Sequence, residues 1–137
     1  MQIDRDSYRM VEMIIRKYPK YKRIYGEYLE EIMSASTSDK EVKPGRESSK
    51  PSSVVEAKAL KMNSAYADLL YKRIQAVEYC YEHLTEKEQQ VIKVRYWSDK
   101  DKMIPYNKTG SSFSERKQKM IVQKVIYQVG KSIGELR

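Results

Sequence analysis

Histidine, cysteine, phenylalanine and tryptophan each occur once in this chain of 137 residues. The single cysteine, Cys80, excludes an intrachain disulfide and a thiolate metal cluster. The lone His83 stands beside Leu84 near a helix end, where a capping or surface role is expected rather than a general base. Acidic pairs such as Glu30–Glu31 and Glu86/Glu88 are expected on solvated helix faces, without a His or Asp cluster that would hold a metal. Glycine-rich phosphate loops are absent too, since "NKTGSS" lacks the P-loop spacing. These absences argue against an enzyme and against any cofactor. No apolar run approaches the ~20 residues of a membrane span, and the opening "MQIDRDSYRM" has no signal-peptide core. The expected location is the cytoplasm, with no membrane partner.

What the chain does contain is charge, tyrosine and helical periodicity. Charged residues make up 34%, 12 tyrosines contribute to a 40% hydrophobic content, and the formal net charge is +8. The excess is local: residues 84–137 hold twelve Lys/Arg against six Asp/Glu, whereas 1–83 hold fifteen against thirteen. A concentrated cationic excess is the electrostatic footprint of a polyanion binder.

Glycine and proline are scarce outside one polar stretch, so an all-α fold is expected. Tyr8, Val11, Ile14, Ile15 and Tyr18 share one helical face, and Pro19 interrupts the pattern. A second helix over about 20–34 carries Tyr21, Ile24, Tyr25, Tyr28, Leu29, Ile32 and Met33 at three- and four-residue spacing. Residues 1–33 thus read as an N-terminal helical arm. Residues 34–53, rich in Ser, Lys, Glu, Gly and Pro, read as a flexible linker that cannot offset its ordering entropy.

Ser53 with Glu56 offers an N-cap for a long helix. Its seam of Ala59, Met62, Tyr66, Leu70, Ile74, Val77, Tyr81 and Leu84 is nearly heptad. That seam wants a partner: the arm, the C-terminal helix or another copy of the chain. Thr85 and Glu88 form a second capping box for a helix reaching about Trp97. Residues 98–113 are polar and broken by Pro105 and Gly110, leaving room for one short helix at most. Ser114 caps the final helix. Residues 54–137 therefore read as a long helix followed by a three-helix C-terminal segment.

At 100° per residue, Val122, Val125, Ile126, Val129, Ile133 and Leu136 fall on the inner arc of that final helix. Arg116, Lys117, Met120, Gln123, Lys124, Tyr127 and Lys131 lie on the other side. With Ser114 and Lys119, they are the candidate DNA-binding residues: Arg and Gln suit base edges, and Lys suits phosphates.

The order of a Leu-Thr-x-x-Glu start, "QQVIKVRYW", a connection, a serine cap and a basic amphipathic helix resembles a helix-turn-helix. The likeness is to region 4 of bacterial sigma factors, whose middle helix would lie at about 99–109. Leu84, Val91, Ile92 and Tyr96 would then share a core with Val122, Val125 and Ile126. "YPKY" at 18–21 and "EIM" at 31–33 resemble the N-terminal signature of the RinA/ArpU-type phage late transcription regulators. That resemblance implies a helix-turn-helix DNA-binding activator of packaging, structural and lysis genes, working with host RNA polymerase. It leaves the arm tyrosines as core or subunit-contact residues, with a homo-oligomer formed through the arm or the long helix. Two other readings stand beside it: a sigma-like factor gripping polymerase directly, and a small terminase subunit that packages DNA.

Overall fold

A computed structural model of the chain describes the backbone of residues 3–41 and 46–134, and the side chains of 3–34 and 64–134. Among the described residues all regular structure is helical. The helices are α1 (Arg5–Arg16), α2 (Tyr18–Glu41), α3 (Arg46–Glu82), α4 (Glu86–Ile92) and α5 (Glu115–Ser132). A π-helical turn, Lys93–Trp97, continues α4, and a single 3-10 turn, Tyr106–Lys108, interrupts the connection to α5. No helix among the described residues is long and apolar enough to cross a membrane.

Local chemistry sets most of these ends. Asp4 caps α1 by accepting from the Ser7 N–H at 3.0 Å. The chain turns at Lys17, and Pro19 falls in the first turn of α2, where a missing N–H costs nothing. The Thr85 capping box is complete: Thr85 accepts from the Glu88 N–H, and Glu88 accepts from the Thr85 N–H at 2.9 Å. Ser114 caps α5 by accepting from the Lys117 N–H at 3.1 Å.

Two boundaries differ from the sequence expectation. Helix α2 continues to Glu41 and α3 already begins at Arg46, so both helices run into the stretch read as a linker. Ser, Thr and Lys are only mildly unfavourable in a helix and do not stop one. Residues 42–45 lie outside the described residues, as do the side chains of Ala59 and Met62 in the expected seam.

The chain divides into two compact units. One joins Met1–Pro19 to Lys72–Arg137, and the other is Lys20–Tyr71. Helix α1 therefore builds with the C-terminal helices rather than with an arm of its own. Its Val11, Ile14 and Ile15 are fully buried, as are Val91, Val122, Ile126 and Val129. Burying each such aliphatic side chain contributes roughly 1.5–3 kcal/mol. Leu84, Ile92, Tyr96 and Val125 complete the core expected from the sequence, and Ile74, Ala76, Val77 and Cys80 close it from α3.

In the second unit, Tyr21 of α2 and Ala67 and Leu70 of α3 are buried, and the Tyr25 and Tyr71 rings lie 5.7 Å apart. Tyr66, Leu29 and Met33, expected on inward faces, are instead exposed. Leu70 of the expected seam is buried as read, while one turn before it the buried position is the small Ala67 rather than Tyr66.

Candidate nucleic-acid interface

The site is built on α5, and the surrounding polar contacts hold that helix by its first turns. Gln118 is 2% exposed. Its Oε1 accepts from the Thr109 hydroxyl at 2.6 Å, and its Nε2 donates to the Phe113 carbonyl at 2.9 Å. These bonds clasp the 104–113 connection to the start of α5. A glutamine four residues before buried Val122 was the available signal for this inward position, and sequence reading passed over it.

The other end of the connection is held by Arg95. Its Nη1 donates to the Ile104 carbonyl at 2.9 Å, and the Ile104 N–H donates back to the Arg95 carbonyl at 2.9 Å. The guanidinium lies 3.9 Å from the centre of the Tyr106 ring and 3.7 Å from Glu12, a stacking that suits its planar, weakly hydrated cation. Glu12 also accepts from the Tyr96 hydroxyl at 2.7 Å, and the Trp97 indole N–H donates to the Ile15 carbonyl at 2.8 Å. The three side chains Arg95, Tyr96 and Trp97, all on the π turn, thus tie α1 to the base of α5's connection.

This pinned connection replaces the helix expected over 99–109. Pro105 is extended at φ −58° and ψ 149°, and Gly110 takes φ +76°, a left-handed value that suits glycine. Between them only the 3-10 turn Tyr106–Lys108 forms. The chain passes from α4 to α5 through an anchored loop.

On α5 itself, Ile121, Val122, Val125, Ile126 and Val129 are buried. Ile121 was absent from the predicted inner arc, and Ile133 of that arc is only half-buried. Leu136 lies outside the described residues. Ser114, Arg116, Lys117, Lys119, Met120, Gln123, Lys124 and Lys131 are exposed, and Tyr127 is half-buried. Lys117, Met120, Lys124, Tyr127 and Lys131 follow one another at steps of three and four, a single stripe about 21 Å long at the helical rise. Arg116 and Gln123 flank it. Lys119 is set apart: its ammonium sits 5.9 Å from the Tyr106 ring, on the side of the connection. Lys131 lies 5.8 Å from the Tyr127 ring.

A groove of about 520 Å³ borders the stripe. It is lined by Ile3 and Tyr8 before and on α1, by Glu88 of α4, and by Lys117, Met120 and Lys124 of α5. Burial, with the Tyr106 phenol and Glu12 nearby, pushes the Tyr8 phenol up to about 12, against the opposing pull of Arg95. Tyr8 therefore keeps its proton near neutral pH and adds no negative charge to the cationic face. Burial likewise pushes the Cys80 thiol up to about 11; Lys124 pulls it down and Glu88 raises it. Its Sγ lies 3.2 Å from Gln128 Oε1, to which it donates. The thiol is a packed small side chain rather than a nucleophile.

His83 is exposed, with Nδ1 2.7 Å from the Tyr79 carbonyl, the capping position expected of it. Tyr18 of "YPKY" donates to Glu78 at 2.5 Å, and its ring lies 5.2 Å from Trp97. Tyr21 is buried. Tyr18 is half-buried, so of the two signature tyrosines Tyr21 is the core residue.

Comparison of the chain with protein-family models, curated proteins and solved structures finds no match.

Proposed function

We propose that this protein is a sequence-specific DNA-binding transcription activator of phage late genes, with α5 as its recognition helix. The observation that carries the reading is the exposed stripe Lys117–Met120–Lys124–Tyr127–Lys131 with Arg116 and Gln123 beside it. Among the described residues, none of Arg116, Lys117 and Lys124 forms an ion pair. Cations that are not neutralised by neighbouring carboxylates are those available to phosphates. A helix of this length, clasped near its N-terminal end by the Gln118 bonds to Thr109 and Phe113, has the dimensions to enter a major groove. The anchored 98–113 connection serves in place of the middle helix of a sigma-like helix-turn-helix.

The phage-regulator assignment rests on "YPKY", "EIM" and the order of the C-terminal segment. Host RNA polymerase is the implied partner, and the bacterial cytoplasm the implied setting. Transcription by purified bacterial RNA polymerase tests the role. On a template carrying the protein's preferred duplex site, transcript yield is expected to rise about tenfold, equivalent to about 1.4 kcal/mol of recruitment. Yield that stays flat while the site is occupied would exclude activation.

A further inference from the structure

The groove beside the α5 stripe brings together two parts of the first unit that lie far apart in the chain. Lys117, Met120 and Lys124 line it from α5, Ile3 and Tyr8 from the start of α1, and Glu88 from α4. Lys117 lies about 40° and Lys124 about 60° round α5 from buried Ile121, so both stand on the shoulder of the helix rather than along its outermost line. Met120, 57% exposed, holds that outermost line. Tyr8 is half-buried, and among the described residues its hydroxyl forms no hydrogen bond. Burial keeps its proton on near neutral pH, so the hydroxyl remains a donor.

Duplex DNA brings phosphate to this shoulder. The major groove is about 12 Å wide and a helix with its side chains about 10–12 Å across, so the two phosphate strands pass along the flanks of a reading helix. A neighbouring element that stands beside such a helix meets one of them. On α5 that element is the start of α1. Charge favours the strand as occupant: Lys117 and Lys124 outnumber Glu88, the one carboxylate among the lining residues, and Glu88 already accepts from the Thr85 N–H. Asp4 is engaged in capping α1 through the Ser7 N–H and hydroxyl. Exposed Asp6 lies about 160° round α1 from Tyr8, whereas exposed Arg5 lies about 60° from it.

We propose that one strand of the duplex runs through this groove and that the Tyr8 hydroxyl donates to a phosphate there. The DNA-binding surface is then α5 together with the start of α1, a role for α1 that rests on α5 entering the major groove.

Fluorescence anisotropy of the full chain over a salt series, on a labelled duplex selected from a random pool, tests this. Tyr8→Phe removes a neutral donor, so affinity should fall about tenfold while the salt slope stays unchanged. Its thermal midpoint should hold, because no hydrogen bond within the described residues is lost. Ile3→Lys places a cation in the groove and should raise affinity and steepen the salt slope by about one unit. Met13→Lys adds the same charge about 140° round α1 from Tyr8 and should do neither. A Tyr8→Phe variant of wild-type affinity overturns the proposal. So does an Ile3→Lys slope no steeper than that of Met13→Lys. Either result beside weakened Arg116→Ala and Lys124→Ala variants removes α1 alone from the DNA surface. Wild-type binding by those two α5 variants removes α5 as the reader, and α1 with it.

Discussion

Replacing Arg116 or Lys124 by alanine is expected to lower affinity for duplex DNA about tenfold each, and to flatten the salt dependence by about one unit of slope per lost phosphate contact. Both side chains are exposed, and among the described residues neither forms an ion pair. Stability should therefore move by less than about 0.5 kcal/mol. Binding measured by fluorescence anisotropy over a salt series separates the two effects, and thermal unfolding checks the fold. Lys119→Ala serves as the internal comparison. Its ammonium sits over Tyr106 rather than on the stripe, so its effect on affinity should be the smallest of the three. If Arg116→Ala and Lys124→Ala bind as the wild type does, α5 does not contact DNA.

Removing residues 1–19 is expected to abolish folding of the C-terminal helices altogether. The deletion takes away Val11, Ile14 and Ile15, all fully buried, worth roughly 5–9 kcal/mol together at 1.5–3 kcal/mol each. It also strips Glu12 from the Tyr96 hydroxyl and from Arg95, and the Ile15 carbonyl from the Trp97 indole. Whole domains are stable by only about 5–15 kcal/mol. A fragment of residues 72–137 should accordingly show no cooperative thermal transition by circular dichroism. Within the full chain, Ile14→Ala should cost about 2–5 kcal/mol. A fragment that melts cooperatively at the full-length midpoint would mean that α1 is dispensable to this unit.

The second prediction marks where sequence reading reached its limit. The helix starts at Thr85 and Ser114 were legible because caps are local, a Thr or Ser side chain accepting from a backbone N–H three residues on; the cap read at Ser53 was not one, since α3 already begins at Arg46. The core faces of α1, α4 and α5 were legible as well, through three- and four-residue spacing of Val, Ile and Tyr. Which helix α1 would pack against was not, because an amphipathic face names no partner. The π turn and the Arg95 clasp depend on residues far apart in the chain, Glu12 and Tyr106 among them.

Small and polar inward residues were also hidden. Ala67, Ala76 and Gln118 are buried, yet apolar patterning weighs large side chains and passes over them. The middle of the expected helix-turn-helix illustrates the opposite case. Pro105 and Gly110 were visible in the sequence as breakers, and they do prevent a helix there. What could not be read was that Thr109, Gln118 and Arg95 would hold the resulting loop in place.

Within the candidate site, the separation of stripe from core on α5 followed from periodicity alone. The displacement of Lys119 toward Tyr106 did not, since it depends on where the connection runs. The groove beside Lys117 and Lys124 likewise arises from α1, whose contribution to this surface no local pattern could announce.

Selection of bound duplexes from a random DNA pool by the full-length protein tests the central claim most directly. A recognition helix carrying Arg116, Gln123 and the lysine stripe predicts one enriched sequence motif, and loss of that enrichment when Arg116 and Lys124 are both replaced by alanine. Recovery of unselected sequence by the wild type, or the same motif from the double variant, would contradict the assignment of α5 as a DNA reader.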